Sequence, residues 1–296
     1  MGLKIIKKIE DYKNFYKDFL YNKKIGFVPT MGALHEGHLS LLKKAKENND
    51  VAIMSIFVNP IQFGENEDFD KYPRTIEKDI FLAEKLGIDI VFYTDENELY
   101  PQKQTFFVSS DSIMFTSRLC ANTRKNHFKG VATIVTKLFN IIKPNVAYFG
   151  QKDYQQFLLI KNMVKELNMD VNIQMCPIIR EEDGLAKSSR NIYLKDKERQ
   201  EATILYKALK LGEKILTSSQ DLLDNIKLAK EEIENLINSS KLLKIDYISI
   251  CNASLLEEIT KKDLEKKNSI NVLIAIAVYI GNTRLIDNEI VSVKIN

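Results

Sequence analysis

The chain has 296 residues, 45% hydrophobic and 28% charged, enough for one large core or two modest ones in an ordinary soluble globular protein. Lys and Arg number 43 against 40 Asp and Glu, and a formal charge of only +3 argues against a dedicated nucleic-acid binder. Cys120, Cys176 and Cys251 lie far apart with no Cys-x-x-Cys, which suits buried thiols in a reducing compartment better than a disulfide framework or a structural metal.

Met1 to Glu10 carries Lys4, Lys7 and Lys8 but no long apolar run, so no signal peptide is expected. Ile270 to Ile280 is too short to span a bilayer, and a cytoplasmic protein without membrane partners is expected. Glu10 to Tyr21 reads as an amphipathic helix with Tyr12, Phe15, Tyr16 and Phe19 on its core side. Ile25 to Val28 reads as a buried strand that ends at Pro29, followed by a loop with Gly32 and Gly37 and a helix bearing Leu39, Leu41, Leu42 and Ala45. Val51 to Asn59 is nearly all apolar, as a central parallel strand is, and stops at Pro60. Gln62 therefore follows a strand's carboxyl end, where open α/β sheets place ligands. Thr75 to Leu86 reads as helix, Ile88 to Tyr93 as strand and Phe106 to Val108 as a short strand. A helix over Val131 to Ile142, a strand over Val146 to Phe149, a helix over Phe157 to Leu167 and a strand over Val171 to Ile179 follow. This alternation predicts an α/β fold, a doubly wound, Rossmann-like parallel-sheet domain over residues 1–182.

The pattern changes after Arg180. Glu181 to Arg190 is a charged loop, and Asp196 to Ser239 holds two helical runs broken near Thr217, Ser218 and Ser219. Strands are expected over Ile245–Ile250, Val272–Tyr279 and Ile286–Val293, giving a smaller α+β C-terminal domain over residues 183–296. The Lys-heavy segments of this half read as solvated faces rather than an RNA surface.

Two of the three histidines, His35 and His38, stand between the first strand and its helix. They could be surface or capping side chains, zinc ligands, or donors to a phosphate at a helix N-terminus. The loop context favours the third, since His-Glu-x-x-His spacing and a nearby cysteine pair are both missing. His35-Glu36-Gly37-His38 resembles the His-x-Gly-His signature of nucleotidyltransferases and class I aminoacyl-tRNA synthetases. The longer stretch Val28 to His38 is similar to the pantoate–β-alanine ligase family. So are Phe57 to Phe63, Phe149 to Gln156 and Asp183 to Asn191, with a looser match at Arg284 to Asp287. Arg124 and His127 match the family's Arg-x-x-His-Phe-x-Gly-Val segment, although Cys120-Ala121 and Lys125-Asn126 replace its usual Glu-Gly and Pro-Gly.

The resemblance implies ATP-dependent condensation of pantoate with β-alanine through a pantoyl adenylate, releasing AMP and pyrophosphate, with Mg²⁺ on the phosphates and a homodimeric assembly. It implies catalytic roles for His35, His38, Lys152, Ser188, Ser189 and Arg190. ATP contacts are implied for Met31, Gly32, Ala33, Leu34, Glu36, Gly37, Gly150, Gln151, Asp153, Ile179 and Lys187 as well. Pantoate contacts are implied for Pro29, Met31, Asn59, Gln62 and Gln156, and no protein metal ligand is expected. His38 is the expected proton donor to the phosphate region. Asp79 could reach a metal through water, though a helix-surface charge is the stronger reading. Lys187 could solvate its ammonium or aim it at phosphate, and the solvated form is expected. The smaller domain, hinged near Glu181–Gly184, would close over the adenylate. A nucleotidyltransferase of a phosphate-bearing substrate, or a nucleotide-binding module without chemistry, would keep the same loops; the former would need more Arg or Lys near Gln62 and Gln156.

Overall fold

A computed structural model describes all residues except Met1, Asn66, Ser219, Gln220, Lys266, Lys267 and Asn296. The chain forms two compact units, Met1–Ile179 and Arg180–Asn296. That division falls three residues before the expected boundary, and the loop over Glu181–Gly184 belongs to the second unit.

The first unit is built on six parallel strands: β1 (Lys4–Ile6), β2 (Ile25–Thr30), β3 (Val51–Ile56), β4 (Ile90–Tyr93), β5 (Val146–Gly150) and β6 (Asn172–Cys176). Their order is β1-β4-β3-β2-β5-β6. Helix α1 (Ile9–Phe15) precedes β2, and α2 (Glu36–Asn48) joins β2 to β3. Helix α3 (Ile76–Lys85) leads to β4; the single-turn α4 (Glu96–Leu99), α5 (Ile113–Thr116) and α6 (Cys120–Thr123) lead to α7 (His127–Ile142). Helix α8 (Tyr154–Glu166) joins β5 to β6. Side chains of β2, β3 and β4 alternate between two cores, as period-2 strands covered on both faces must. Val28, Met54 and Val91 pack with Leu41, Leu42 and Ala45 of α2 and Ala83 of α3. On the other face Phe27 meets Phe139 of α7 edge-on at 6.4 Å, and Tyr12 meets Phe92 at 5.9 Å while donating to the Ile142 carbonyl at 2.9 Å.

Several expected boundaries move. Strand β2 runs through Pro29 to Thr30, with Pro29 opposite Ser55. A proline removes one donor, but its carbonyl and fixed φ remain compatible with an extended strand. The helix expected over 10–21 ends at Phe15 and passes into a π-helical turn, Tyr16–Leu20; Tyr12 and Phe15 are buried but Phe19 is exposed. Phe106 to Val108 is not a strand: Val108 donates its N–H to Thr133 Oγ1 instead of a ladder, and the two rings lie exposed. Strand β1 went unread because three residues carry too little periodicity to show one.

In the second unit, α9 (Asp196–Glu201), α10 (Ile204–Leu216), α11 (Leu222–Asn238) and α12 (Lys261–Leu264) accompany an antiparallel sheet of β7 (Leu243–Asn252), β8 (Ser269–Ile280) and β9 (Thr283–Lys294). Val272, Ile274, Ile276 and Val278, spaced by two, pack with Leu205, Leu209, Ile233 and Ile237. The helical break falls at Thr217–Ser218; Ser219 lies outside the described residues.

Candidate active site

In the first unit β3, β2 and β5 are neighbours, so their carboxyl ends open side by side. The chain passes from β2 to β3 on one side of β2 and returns to β5 on the other. That reversal of winding between β2 and β5 is the crevice where α/β sheets bind ligands.

Between β2 and α2 the backbone makes two left-handed turns in succession, Gly32 at φ 80° and Ala33 at φ 51°. A non-glycine residue there is strained and needs support from its surroundings. Asp79, buried on α3, supplies it. Its Oδ2 accepts from the Ala33 N–H at 2.9 Å, its Oδ1 from the Leu34 N–H at 2.8 Å, and the Thr75 hydroxyl donates to both oxygens at 3.2 Å. The Thr30 hydroxyl accepts from the Gly32 N–H at 3.1 Å and donates to the Ser55 carbonyl at 2.7 Å. Asp79 is thus neither a helix-surface charge nor a free metal ligand, and its four-residue offset from Thr75 was the sequence signal that could have suggested an internal acceptor.

His35 caps α2, its Nδ1 accepting from the Gly37 N–H at 3.1 Å. The His38 ring lies 4.1 Å from it, centroid to centroid. The His38 Nδ1 is buried with no hydrogen-bond partner in the protein. Burial, then the His35 ring and the Lys152 ammonium, push its pKa down to about 3 against a smaller opposing pull from Asp153. At neutral pH His38 is therefore an uncharged ring able to donate one N–H. Lys152 and Asp153, in the turn after β5, form an ion pair at 3.1 Å.

The third strand end carries Asn59 and Gln62, both buried. Asn59 Nδ2 donates to Gln62 Oε1 at 3.1 Å and to the Gly130 carbonyl at 3.2 Å; the Tyr100 hydroxyl donates to Asn59 Oδ1 at 2.9 Å; and Gln62 Nε2 lies 3.2 Å from Met31 Sδ. Gln62 thereby joins the β3 end to the Met31 loop. Of the paired glutamines, Gln156 is half-buried, while Gln155 is buried and structural: it accepts from the Cys120 N–H at 3.0 Å and donates to the Met114 and Arg118 carbonyls at 2.6 and 2.8 Å. Arg124 pairs with Glu67, and its guanidinium is 3.0 Å from His127 Nε2, while His127 Nδ1 lies 2.8 Å from the Gln62 carbonyl. His127, pushed down to about 3 by burial and then by Arg124, holds the Gln62 backbone. These two residues buttress the site wall. Pro29 forms part of β2, Gly150 ends β5, and Ile179 closes the first unit.

Lys187, Ser188, Ser189 and Arg190 belong to the second unit. Their loop is rooted at Arg180, which donates to both Asp287 carboxylate oxygens at 2.6 and 3.0 Å and to the Gly184 carbonyl at 3.0 Å. Gly184, at φ 93°, sits so close to Tyr206 that a Cβ would lie 2.0 Å from its ring. Lys187 is not solvated as expected: its ammonium pairs with Glu181 at 2.5 Å. Ser188 Oγ accepts from the Arg190 N–H at 3.3 Å, opening a 3₁₀ turn over Ser189–Tyr193.

A family model for pantoate-beta-alanine ligase matches residues 4–290. The chain belongs to this family. It is 52% identical to a pantothenate synthetase of Caldicellulosiruptor bescii over 98% of this chain and 99% of the relative. It is 48% identical to one of Thermotoga petrophila, over 97% and 99%. Among solved structures, pantothenate synthetase from Thermus thermophilus superposes with a TM-score of 0.88 at 34% identity, covering 97% of this chain and 98% of that one. Pantoate-beta-alanine ligase from Francisella tularensis, in a complex with beta-gamma ATP and beta-alanine, gives 0.78 at 35% identity over 97% of each. The chain is accordingly a C–N-bond-forming ligase that condenses pantoate with β-alanine in an ATP-dependent reaction. Among the described residues no helix is long and apolar enough to cross a membrane.

Proposed function

We propose that this ligase works in two half-reactions at the crevice between β2 and β5. A pantoate carboxylate oxygen attacks the α-phosphorus of ATP, the bond to the bridging oxygen breaks, and pyrophosphate leaves. The β-alanine amine then attacks the acyl carbon of the pantoyl adenylate, AMP departs on its phosphate oxygen, and the amine sheds a proton. Both steps need positioned donors and exclusion of water rather than a protein nucleophile.

The observation that carries this reading is the uncharged, half-buried His38, whose buried Nδ1 makes no hydrogen bond in the protein, near His35 and the Lys152 ammonium at a helix N-terminus. Such a ring donates a hydrogen bond to a phosphate oxygen as charge builds, and an arriving phosphate would raise its pKa towards proton donation. Lys152 supplies a point charge to the same oxygens, and the N–H groups of Gly32 to His38 line the approach. Gln62 and Gln156, with Pro29 and Met31, hold pantoate, and Asn59 supports Gln62 from inside the protein. Ser188, Ser189, Arg190 and Lys187 are further candidates for the phosphates, on the family resemblance and on the donor chemistry of their loop.

Magnesium is a further part of the proposal. Among the described residues no group of three His, Cys, Asp or Glu side chains could hold a metal ion, and Asp79 already accepts from two N–H groups and a hydroxyl. The donor set suits an ion carried in on the ATP phosphates with its own waters, and no step of the chain's residues runs through it. A cytoplasmic homodimer is proposed on the family resemblance and on three buried cysteines far apart in sequence.

Exchange of labelled pyrophosphate into ATP tests the route. It is expected with pantoate and without β-alanine, and adding β-alanine should yield AMP and pantothenate. Exchange that requires β-alanine, or formation of ADP and phosphate, would overturn it.

A further inference from the structure

Gln62 can offer a substrate either a carbonyl oxygen or an NH₂ group, and the two ends select opposite ligands. Its surroundings determine which. The Gly130 carbonyl can only accept, so the Asn59 end lying 3.2 Å from it is the NH₂. Asn59 Oδ1 then faces the Tyr100 hydroxyl at 2.9 Å, which donates. The remaining Asn59 N–H points at Gln62 from 3.1 Å and requires an acceptor, Oε1. That leaves Gln62 Nε2 next to the weakly accepting thioether of Met31, outside the Asn59 pair.

Each member of this relay is held. Asn59 is 1% exposed, and Tyr100 is packed against Phe57 at 6.0 Å under the Lys137 ammonium at 4.6 Å. Burial raises the Tyr100 pKa, so its hydroxyl keeps the proton it donates. Gly130 lies so close to the turn after β3 that a Cβ would come within 2.5 Å of the Ile61 carbonyl and 2.6 Å of Gln62 Cα. Only glycine lets α7 bring its carbonyl to Asn59.

We propose that Tyr100 and the Gly130 carbonyl are positioning groups that fix the polarity of the Asn59–Gln62 amide pair, so that Gln62 presents only N–H donors to substrate. The inference rests on the assignment of this pocket to pantoate. It makes the pocket selective for a ligand carrying a carboxylate or hydroxyl oxygen at that point, and unfavourable to the ammonium of β-alanine.

Steady-state kinetics on the full chain test this. Wild-type enzyme must first form pantothenate from pantoate, β-alanine and ATP; failure there would sink the functional assignment itself. Given that activity, Tyr100→Phe is expected to raise the pantoate KM about 10-fold, with ATP and β-alanine KM values within about 2-fold and kcat within about 3-fold. Gln62→Glu keeps the shape but replaces the donors by an acceptor, and should raise the pantoate KM about 100-fold or more. An unchanged pantoate KM in either variant, or a parallel rise of all three KM values, would overturn the relay while leaving the reaction intact. A measurement on the wild type is independent of variant folding. With a non-hydrolysable ATP analogue present, pantoate should shift the Gln62 side-chain NH₂ resonances in an ¹⁵N–¹H spectrum more than those of Asn59. The reverse order would overturn the proposal.

Discussion

The loop that begins α2 and the loop that begins the Ser189–Tyr193 turn are held by different chemistry. In the first, a buried carboxylate grips the backbone itself, through the Ala33 and Leu34 N–H groups. In the second, side chains hold backbone groups as well, but much of the hold is between side chains. Arg180 pairs with Asp287 at its root, while the more exposed Lys187–Glu181 and Arg199–Asp183 pairs lie further out. Backbone clamps of this kind are shielded and fix atomic positions, whereas part-exposed ion pairs exchange partners at little cost and weaken with salt. The first loop is therefore fixed in position, while the outer part of the second is held by contacts that salt can loosen.

Removing the backbone clamp should have the largest effect. Asp79→Asn preserves shape but puts an NH₂ where an oxygen accepts, leaving a buried N–H opposed. A loss of about 3 kcal/mol is expected, since hydrogen bonds to a charged group contribute roughly 1.5–3 kcal/mol each. Chemical denaturation checks the stability, and pantoate-dependent pyrophosphate exchange should fall by more than about 100-fold through displacement of the His35–His38 turn. A variant that melts early but exchanges at the wild-type rate would show that the clamp serves only the fold. Next comes His38→Ala, expected to slow adenylation on the order of 100-fold, as loss of a transition-state donor does. Its circular dichroism and thermal midpoint should stay near wild type, because the ring's Nδ1 makes no protein hydrogen bond. Near-normal adenylation in a folded variant would remove His38 from the catalytic set.

How much of this was readable beforehand follows from where each signal lies. The parallel sheet was legible because Val51 to Ile56 and Val146 to Phe149 are nearly all apolar, and the β2–α2 loop because Gly32, His35 and His38 are local in sequence. Asp79 and Tyr100 were not, since each acts on residues about forty positions away, and nothing in a helix or loop pattern reveals which backbone group a carboxylate or phenol will meet. Gln155 and Gln156 show the same limit at closer range: helix α8 turns one inward as a brace and leaves its neighbour half-buried, a choice set by packing.

Acid should act on the clamped loop and its wall in a graded way. His38 and His127 titrate near 3 in the folded protein, chiefly because burial disfavours the imidazolium. Unfolded histidine titrates near 6.5. Between those values the unfolded chain binds the extra protons, so stability is fully present above about pH 6.5 and falls as the pH drops towards 3. Each histidine contributes at most about 1.4 kcal/mol per pH unit. Urea midpoints at pH 7.5, 5.5 and 4.5 check this: His38→Gln should lose less stability than wild type over the same interval. Parallel loss in both proteins would mean that His38 already protonates in the folded state. Addition of ATP should raise the His38 pKa, visible as a shift of its ring-proton titration to higher pH.

The smallest effect belongs to the ion-paired loop. Lys187 pairs with Glu181 at 2.5 Å, and both side chains are partly exposed, 19% and 31%. Such a pair contributes between nothing and about 1 kcal/mol, because solvent and salt screen it and ordering two long side chains costs entropy. If the ammonium stays with Glu181 when ATP binds, Lys187→Met removes contacts within the loop, and the ATP KM and turnover should each change less than about 3-fold. If instead the ammonium leaves Glu181 for a phosphate, the variant loses a charge-assisted hydrogen bond and kcat/KM for ATP falls by about 10-fold to over 100-fold. Glu181→Gln separates the two cases. It weakens the hold of Glu181 on Lys187, so a lysine bound for phosphate should gain affinity for ATP in that variant, whereas one that remains within the loop should leave ATP binding unaltered. The existing partner, together with Lys152 and Arg190 as other cations for the phosphates, favours the first outcome; a gain in ATP affinity in Glu181→Gln alongside a 30-fold loss in Lys187→Met would reverse it.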